Sequence, residues 1–187
     1  MTSDTEHYNH AFGYKALRLA NGGQFNTAVG WQCMTALTTG GDNTGVGHDC
    51  LGSVTTGGYN TAVGSNALYE LTTGNYNTTV GINSLKETTT ASNNTAIGTD
   101  SLKLNTTGYN NVAVGINALD ANTTGYTNTG VGGFALSSNT TGNHNTAHGF
   151  YALQANTTGA YNIAIGNYAL DTNTDANHNL AIGYYAM

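Results

Sequence analysis

The chain has 187 residues, no proline, two cysteines, and a formal charge of −6 from four basic and ten acidic side chains. That balance provides no basic stripe for nucleic acid, and no apolar run is long enough to cross a bilayer as a helix. Abundant Gly, Asn and Thr would suggest disorder in an unpatterned chain, but here the apolar residues keep a fixed phase.

The phase is 17 residues. Glycines stand at Gly13, Gly30, Gly47, Gly64, Gly81, Gly98, Gly115, Gly132, Gly149, Gly166 and Gly183, each four residues after an asparagine. Asn60, Asn77 and Asn94 precede Gly64, Gly81 and Gly98 in this way. The unit reads N-T-A-V-G-x-x-A-L-x-x-N-T-T-G-x-x, and eleven copies fill the chain. A fixed period of this kind decides the architecture. Residues 1–187 form one repeat domain with coils 1–17, 18–34, 35–51, 52–68, 69–85, 86–102, 103–119, 120–136, 137–153, 154–170 and 171–187. Met1 to Tyr8 already fit the repeat, so no leader is expected ahead of it.

Seventeen residues are too few for a helical hairpin repeat, and glycine with β-branched residues disfavours helix. The reading is all-β: a parallel β-solenoid in which each repeat goes once round and returns about 4.8 Å above itself. Eleven coils give a rod of roughly 50 Å. Within a coil the order is a strand at Asn-Thr-Ala-Val, a bend at the glycine, a second short strand at Ala-Leu, and a turn at Asn-Thr-Thr-Gly. The invariant glycine implies positive φ or a place too crowded for Cβ. The second glycine, as at Gly40 and Gly57, becomes Ala91 and Ala176 in two coils, so its demand is softer.

Two files are expected in the core: the valine file (Val29, Val46, Val63, Val80, Ile97 and equivalents) and the leucine file (Leu51, Leu68, Leu85 and equivalents). Two such side chains per coil bury too little to offset the ordering of 17 residues. Ladder hydrogen bonds and burial against other chains must add to them, which predicts an oligomer. The asparagine file forms either a ladder of stacked amides or a set of turns bonding their own backbone.

Departures from the repeat follow in chain order. Cys33 and Cys50 sit one period apart in the slot usually held by Ala, close enough to bond, although a buried free thiol is the simpler reading. Paired threonines run from Thr38 through Thr158. Stacked like charges, Glu70 with Glu87 and Lys86 with Lys103, need exposure. Tyr8, Phe25, Tyr59, Tyr76 and Tyr161, with Asp42 and His144 interrupting, read as a solvated flank of stacked rings. Asn105, Asn122, Asn139 and Asn156 match a glycosylation acceptor pattern, uninformative in a chain so rich in Asn and Thr. The last four coils carry Phe134, Tyr151, Tyr168 and Tyr185 two residues after the glycine, a candidate stripe for a glycan or protein partner. The alternative is that these rings pack on a neighbouring subunit or on one another.

The six histidines occupy five phases and form no ligand set; His148, in the valine file, is expected buried and hydrogen-bonded. No phosphate loop, nucleophile elbow or carboxylate pair is present. Neither an enzyme, a cofactor nor a metal site is expected.

Runs such as Asn60-Thr61-Ala62-Val63-Gly64-Ser65-Asn66-Ala67-Leu68 and Asn122-Thr123-Thr124-Gly125 resemble the repeats of bacteriophage tail-fibre and bacterial fibre-domain proteins. The Asn-x-Ala-Val-Gly core is also similar to the head repeats of trimeric autotransporter adhesins. The resemblance implies a left-handed β-roll, a trimer about a three-fold axis, and a place on a virion or an extracellular surface. The expected function is a structural fibre or adhesin shaft presenting a surface to a host receptor or glycan, with no nucleic acid and no membrane insertion. Two alternatives stay open. One is a filament subunit stacking head to tail, since Met187 ends in the leucine phase and Met1 begins the next. The other is an ice-binding solenoid, which would want two threonine columns two residues apart on one strand face.

Overall fold

The computed structural model describes residues 8–187; Met1 to His7, and with them the start of the first coil, lie outside the described residues. No helix occurs among the described residues. Eleven three-residue strands recur at the repeat period: β1 His10–Phe12, β2 Thr27–Val29, β3 Thr44–Val46, β4 Thr61–Val63, β5 Thr78–Val80, β6 Thr95–Ile97, β7 Val112–Val114, β8 Thr129–Val131, β9 Thr146–His148, β10 Ile163–Ile165 and β11 Leu180–Ile182. They form one parallel sheet in sequence order. Equivalent residues pair without slippage, for example Thr61 with Thr78, Ala62 with Thr79 and Val63 with Val80. The protein is an all-β solenoid.

Only one strand forms per coil. The segment expected as a second strand is a turn, because two of its residues adopt the left-handed conformation. In coil 4 these are Asn66 (φ 55°) and Leu68 (φ 51°), and a third such residue, Tyr59 (φ 59°), precedes the asparagine. A strand cannot pass through that region. The turns are joined upward by backbone bonds between coils, such as Leu51 N–H to Ala67 O (3.0 Å) and Thr38 N–H to Thr55 O (2.9 Å). The first threonine of each pair adds a side-chain bond: Thr55 Oγ1 donates to Thr72 O at 3.1 Å.

The glycine bend is demanding on both counts. Gly64 has φ +137°, and a Cβ there would lie 2.3 Å from Gly81 O. The second glycine is different. Gly57 lacks the positive φ, and its difficulty is closeness, chiefly to Gly74 O at 2.5 Å.

The valine file lies outside the core. Val29, Val46, Val80 and Ile97 are between 37% and 41% exposed. Side chains alternate along a strand, so with Ala62 inward, Thr61 and Val63 must both point out. The interior is built instead from the alanine in mid-strand (Ala28, Ala62, Ala96), the alanine or cysteine three residues past the glycine, and the leucine file, fully buried from Met34 to Leu153. Where two of these alanines become Thr79 and Ser84, the hydroxyls bond each other, and Ser84 also bonds Ser101 at 3.1 Å.

The asparagine file is buried and does both things open to it. Asn77 Nδ2 donates to Asn60 Oδ1 in the coil below (3.0 Å) and to Ala91 O in the coil above (2.9 Å). Asn60 Oδ1 also accepts Asn77 N–H at 3.0 Å. Each amide therefore ties three coils together and leaves no backbone donor orphaned.

A further file changes character along the rod. It reads Leu37, Val54, Leu71, Thr88, then Asn105, Asn122, Asn139 and Asn156, all fully buried. The later asparagines make a second ladder, with Asn122 Nδ2 donating to Asn105 Oδ1 (2.8 Å) and Asn139 Nδ2 to Asn122 Oδ1 (2.8 Å). These are the glycosylation-pattern asparagines, and their amides are enclosed.

Candidate binding surfaces

Two surfaces stand out. The first is the outward face of the sheet. Each strand contributes two side chains to it, two residues apart, and the strands are in register. From β2 to β8 the columns are Thr27, Thr44, Thr61, Thr78, Thr95, Val112 and Thr129 beside Val29, Val46, Val63, Val80, Ile97, Val114 and Val131. All are β-branched, so χ1 is stiff and the face is rigid. No Asp, Glu, Lys or Arg stands in either column. His148 falls in the second column and is exposed on this face, not buried, because β9 follows the same alternation.

The second surface is aromatic and lies past the glycine bend at the C-terminal coils. Phe134, Tyr151, Tyr168 and Tyr185 stack face to face, with centroids 5.0, 5.4 and 4.6 Å apart. All four have φ between 52° and 59°. The first two coils place Lys15 and Gln32 there, and the next five Asp49, Asn66, Asn83, Asp100 and Asn117, the residue types that tolerate this conformation. Aromatic rings in its place cost about 1 kcal/mol or more each, offset by ring contacts of about 0.5–1.5 kcal/mol. Desolvation, with Tyr184, Tyr168 and Asp171 nearby, raises the Tyr185 phenol above its ordinary range.

The stack was legible in the sequence; its two companions were not. Phe150 and Tyr184, one residue past the glycine, stand perpendicular to it. Their file is broken by Gly133 and Asn167, so no repeat signal marks it. Near the other end, Tyr14, Trp31 and His48 stack in that same file. On the flank before the asparagine, Tyr59 stacks on Tyr76 (5.0 Å), and His144, Tyr161 and His178 form a continuous stack (4.8 and 5.2 Å). His144 is thus a member of this stack and no interruption of it.

Asn60, Asn77 and Asn94 are enclosed and bonded within the coils, and Gly64, Gly81 and Gly98 leave no room for a side chain. These six are parts of the coil stack itself. Among the described residues no three His, Cys, Asp or Glu side chains cluster as a metal site. Lys86 pairs with Glu87 and Lys103 with Asp100, both at 3.4 Å, which relieves the stacked like charges.

Cys33 and Cys50 are free and fully buried. Gly45 replaces alanine beside them, where a Cβ would lie 2.7 Å from Cys33 Sγ. The hydrogen bond with Cys33, and then burial, push the Cys50 thiol far above its ordinary range. In native protein neither cysteine reacts with a colorimetric thiol reagent within minutes, while both react in urea. Rapid labelling of either thiol without denaturant would show that this part of the core opens.

Comparison of the chain with protein-family models, with curated proteins and with solved structures found no match.

Proposed function

We propose that this chain is the shaft of a trimeric fibre or adhesin, carried as a virion tail fibre or on an extracellular surface, with its aromatic side offered to a glycan or receptor. The supporting observation is the outward sheet face. From β2 to β8 it is an uncharged, β-branched strip roughly 30 Å long, with Val80 and Ile97 each 41% exposed. Its valine and isoleucine column is a contiguous exposed apolar line, and such a line marks an interaction site. Three identical strips meet about a three-fold axis in a closed assembly, and that burial supplies what the alanine-lined interior lacks.

Light scattering tests the reading. Wild-type protein is expected as a trimer, and Val80→Asp weakens association by roughly a hundredfold or more, because a carboxylate is then trapped without a partner. Its exposed position leaves the coil intact, so the circular dichroism spectrum stays β. A wild-type monomer at tens of micromolar would refute the assembly. Electron microscopy separates discrete rods from the alternative, an end-to-end filament.

One second reading draws on the same face. A stiff threonine column repeating at the strand spacing, with valine in place of a second threonine two residues on, supplies one of the two columns an ice-binding surface would want. Thermal hysteresis that disappears in Thr78→Lys would favour it over assembly.

A further inference from the structure

The expected stripe is not itself the free surface. Tyr151 is stacked on one side by Phe134 and on the other by Tyr168; Tyr168 is stacked by Tyr151 and Tyr185. A ligand that stacks needs an unoccupied ring face, and these inner rings have none. Phe150 and Tyr184 have one. Phe150 meets Tyr151 at 75° and Tyr168 at 84°, and Tyr184 meets Tyr168 at 89°. In a perpendicular contact one ring gives its edge and the other its face. The inner ladder rings have only edges left, so Phe150 and Tyr184 lay one face against the ladder wall. The opposite face of each is turned outward, consistent with exposures of 41% and 73%.

The two rings share a file and are two coils apart, with Asn167 between them. Their separation along the rod is about 10 Å, twice the strand spacing, which is also the advance of two sugar units in an extended β-1,4-linked polysaccharide. In such a chain alternate sugars present the same apolar face to one side. Asn167 is exposed; its Oδ1 accepts Phe150 N–H at 3.0 Å, which fixes the amide and leaves Nδ2 to donate to the sugar between the rings.

We propose that Phe150 and Tyr184, with Asn167 between them, form a platform for an extended β-1,4-linked polysaccharide of the cellulose or chitin type. This rests on the glycan-presenting reading above and names its ligand class. Isothermal titration with cellohexaose and with chitohexaose, and amylose as the α-linked control, tests it on the intact chain. Wild-type protein binds one or both β-linked oligosaccharides and not amylose. Phe150→Ala and Tyr184→Ala each weaken that binding about tenfold, the scale of one lost aromatic contact, while Tyr184→Phe retains it and Tyr59→Ala on the other flank has no effect. The double variant Asn167→Tyr, Tyr184→Asn keeps two rings but halves their spacing, and it binds as weakly as Tyr184→Ala. Binding to chitohexaose alone supports the platform and assigns the N-acetyl group to Asn167. The platform is overturned if neither β-linked sugar binds, if amylose binds equally, or if the alanine variants bind as wild type. Light scattering on the same samples separates the two readings: an assembled rod that ignores sugar removes only the platform, and a monomer that binds sugar removes only the shaft.

Discussion

Gly81→Ala destroys the local stack. Its backbone has φ +146°, and the new methyl would lie 2.3 Å from Gly98 O, a main-chain atom held by its own coil. The side chain cannot rotate away, since Cβ itself is the clash. Strain at such a φ costs about 1–3 kcal/mol, and displacing the coil above adds broken ladder bonds, so a loss of roughly 4 kcal/mol or more is expected. Gly130→Ala is the control. It lies in mid-strand, where other coils hold alanine, and its nearest contacts would be Ala135 O at 3.3 Å and Leu119 Cδ1 at 3.4 Å. That change stays within about 1 kcal/mol. Urea denaturation of the pair checks both, and equal midpoints would mean that the bend is not close-packed.

Asn77→Ala is the second large effect. It removes the donor to Asn60 Oδ1 and to Ala91 O, and it strips Asn94 N–H of its acceptor, now at 3.1 Å. Each buried group left unpaired costs about 1–3 kcal/mol, which gives roughly 3–5 kcal/mol for the site. Asn77→Asp separates donor loss from shape. A carboxylate can still accept Asn94 N–H, but it turns oxygen toward Asn60 Oδ1 and Ala91 O. Its folded pKa must therefore rise above the unfolded value. The variant is most destabilised at neutral pH and recovers as pH falls through that raised pKa, when the acid proton replaces the lost donor. Melting temperature across pH 3 to 8 reads this, and a pH-independent deficit would show that the amide's donors are unimportant.

How much of this was legible in the residues varies by position. The coil and its parallel register follow from the period alone, because identical segments returning on themselves can pair only in phase. The inside of the coil did not follow. Val63 is larger and more apolar than Ala62, so size suggested the valine for the core. Strand alternation and the crowding between coils, visible at Gly64, give the interior to the smaller residue. Asn105 and Asn122 looked like turn residues, since a lone asparagine gives no hint that its neighbour 17 residues on will complete its bonds. The aromatic file at Tyr151 was visible as composition. The perpendicular ring of Phe150 was not, since orientation depends on which faces its neighbours have already used.

The file that begins with Leu37, Val54 and Leu71 and continues as Asn105, Asn122 and Asn139 makes one geometry out of two materials. Apolar packing carries a large heat capacity and weakens on cooling, whereas the amide column has little such dependence. The two halves of the rod then reach greatest stability at different temperatures. Chilling loosens the leucine half first, and residue-resolved hydrogen exchange near 0 °C should reveal that boundary at Thr88.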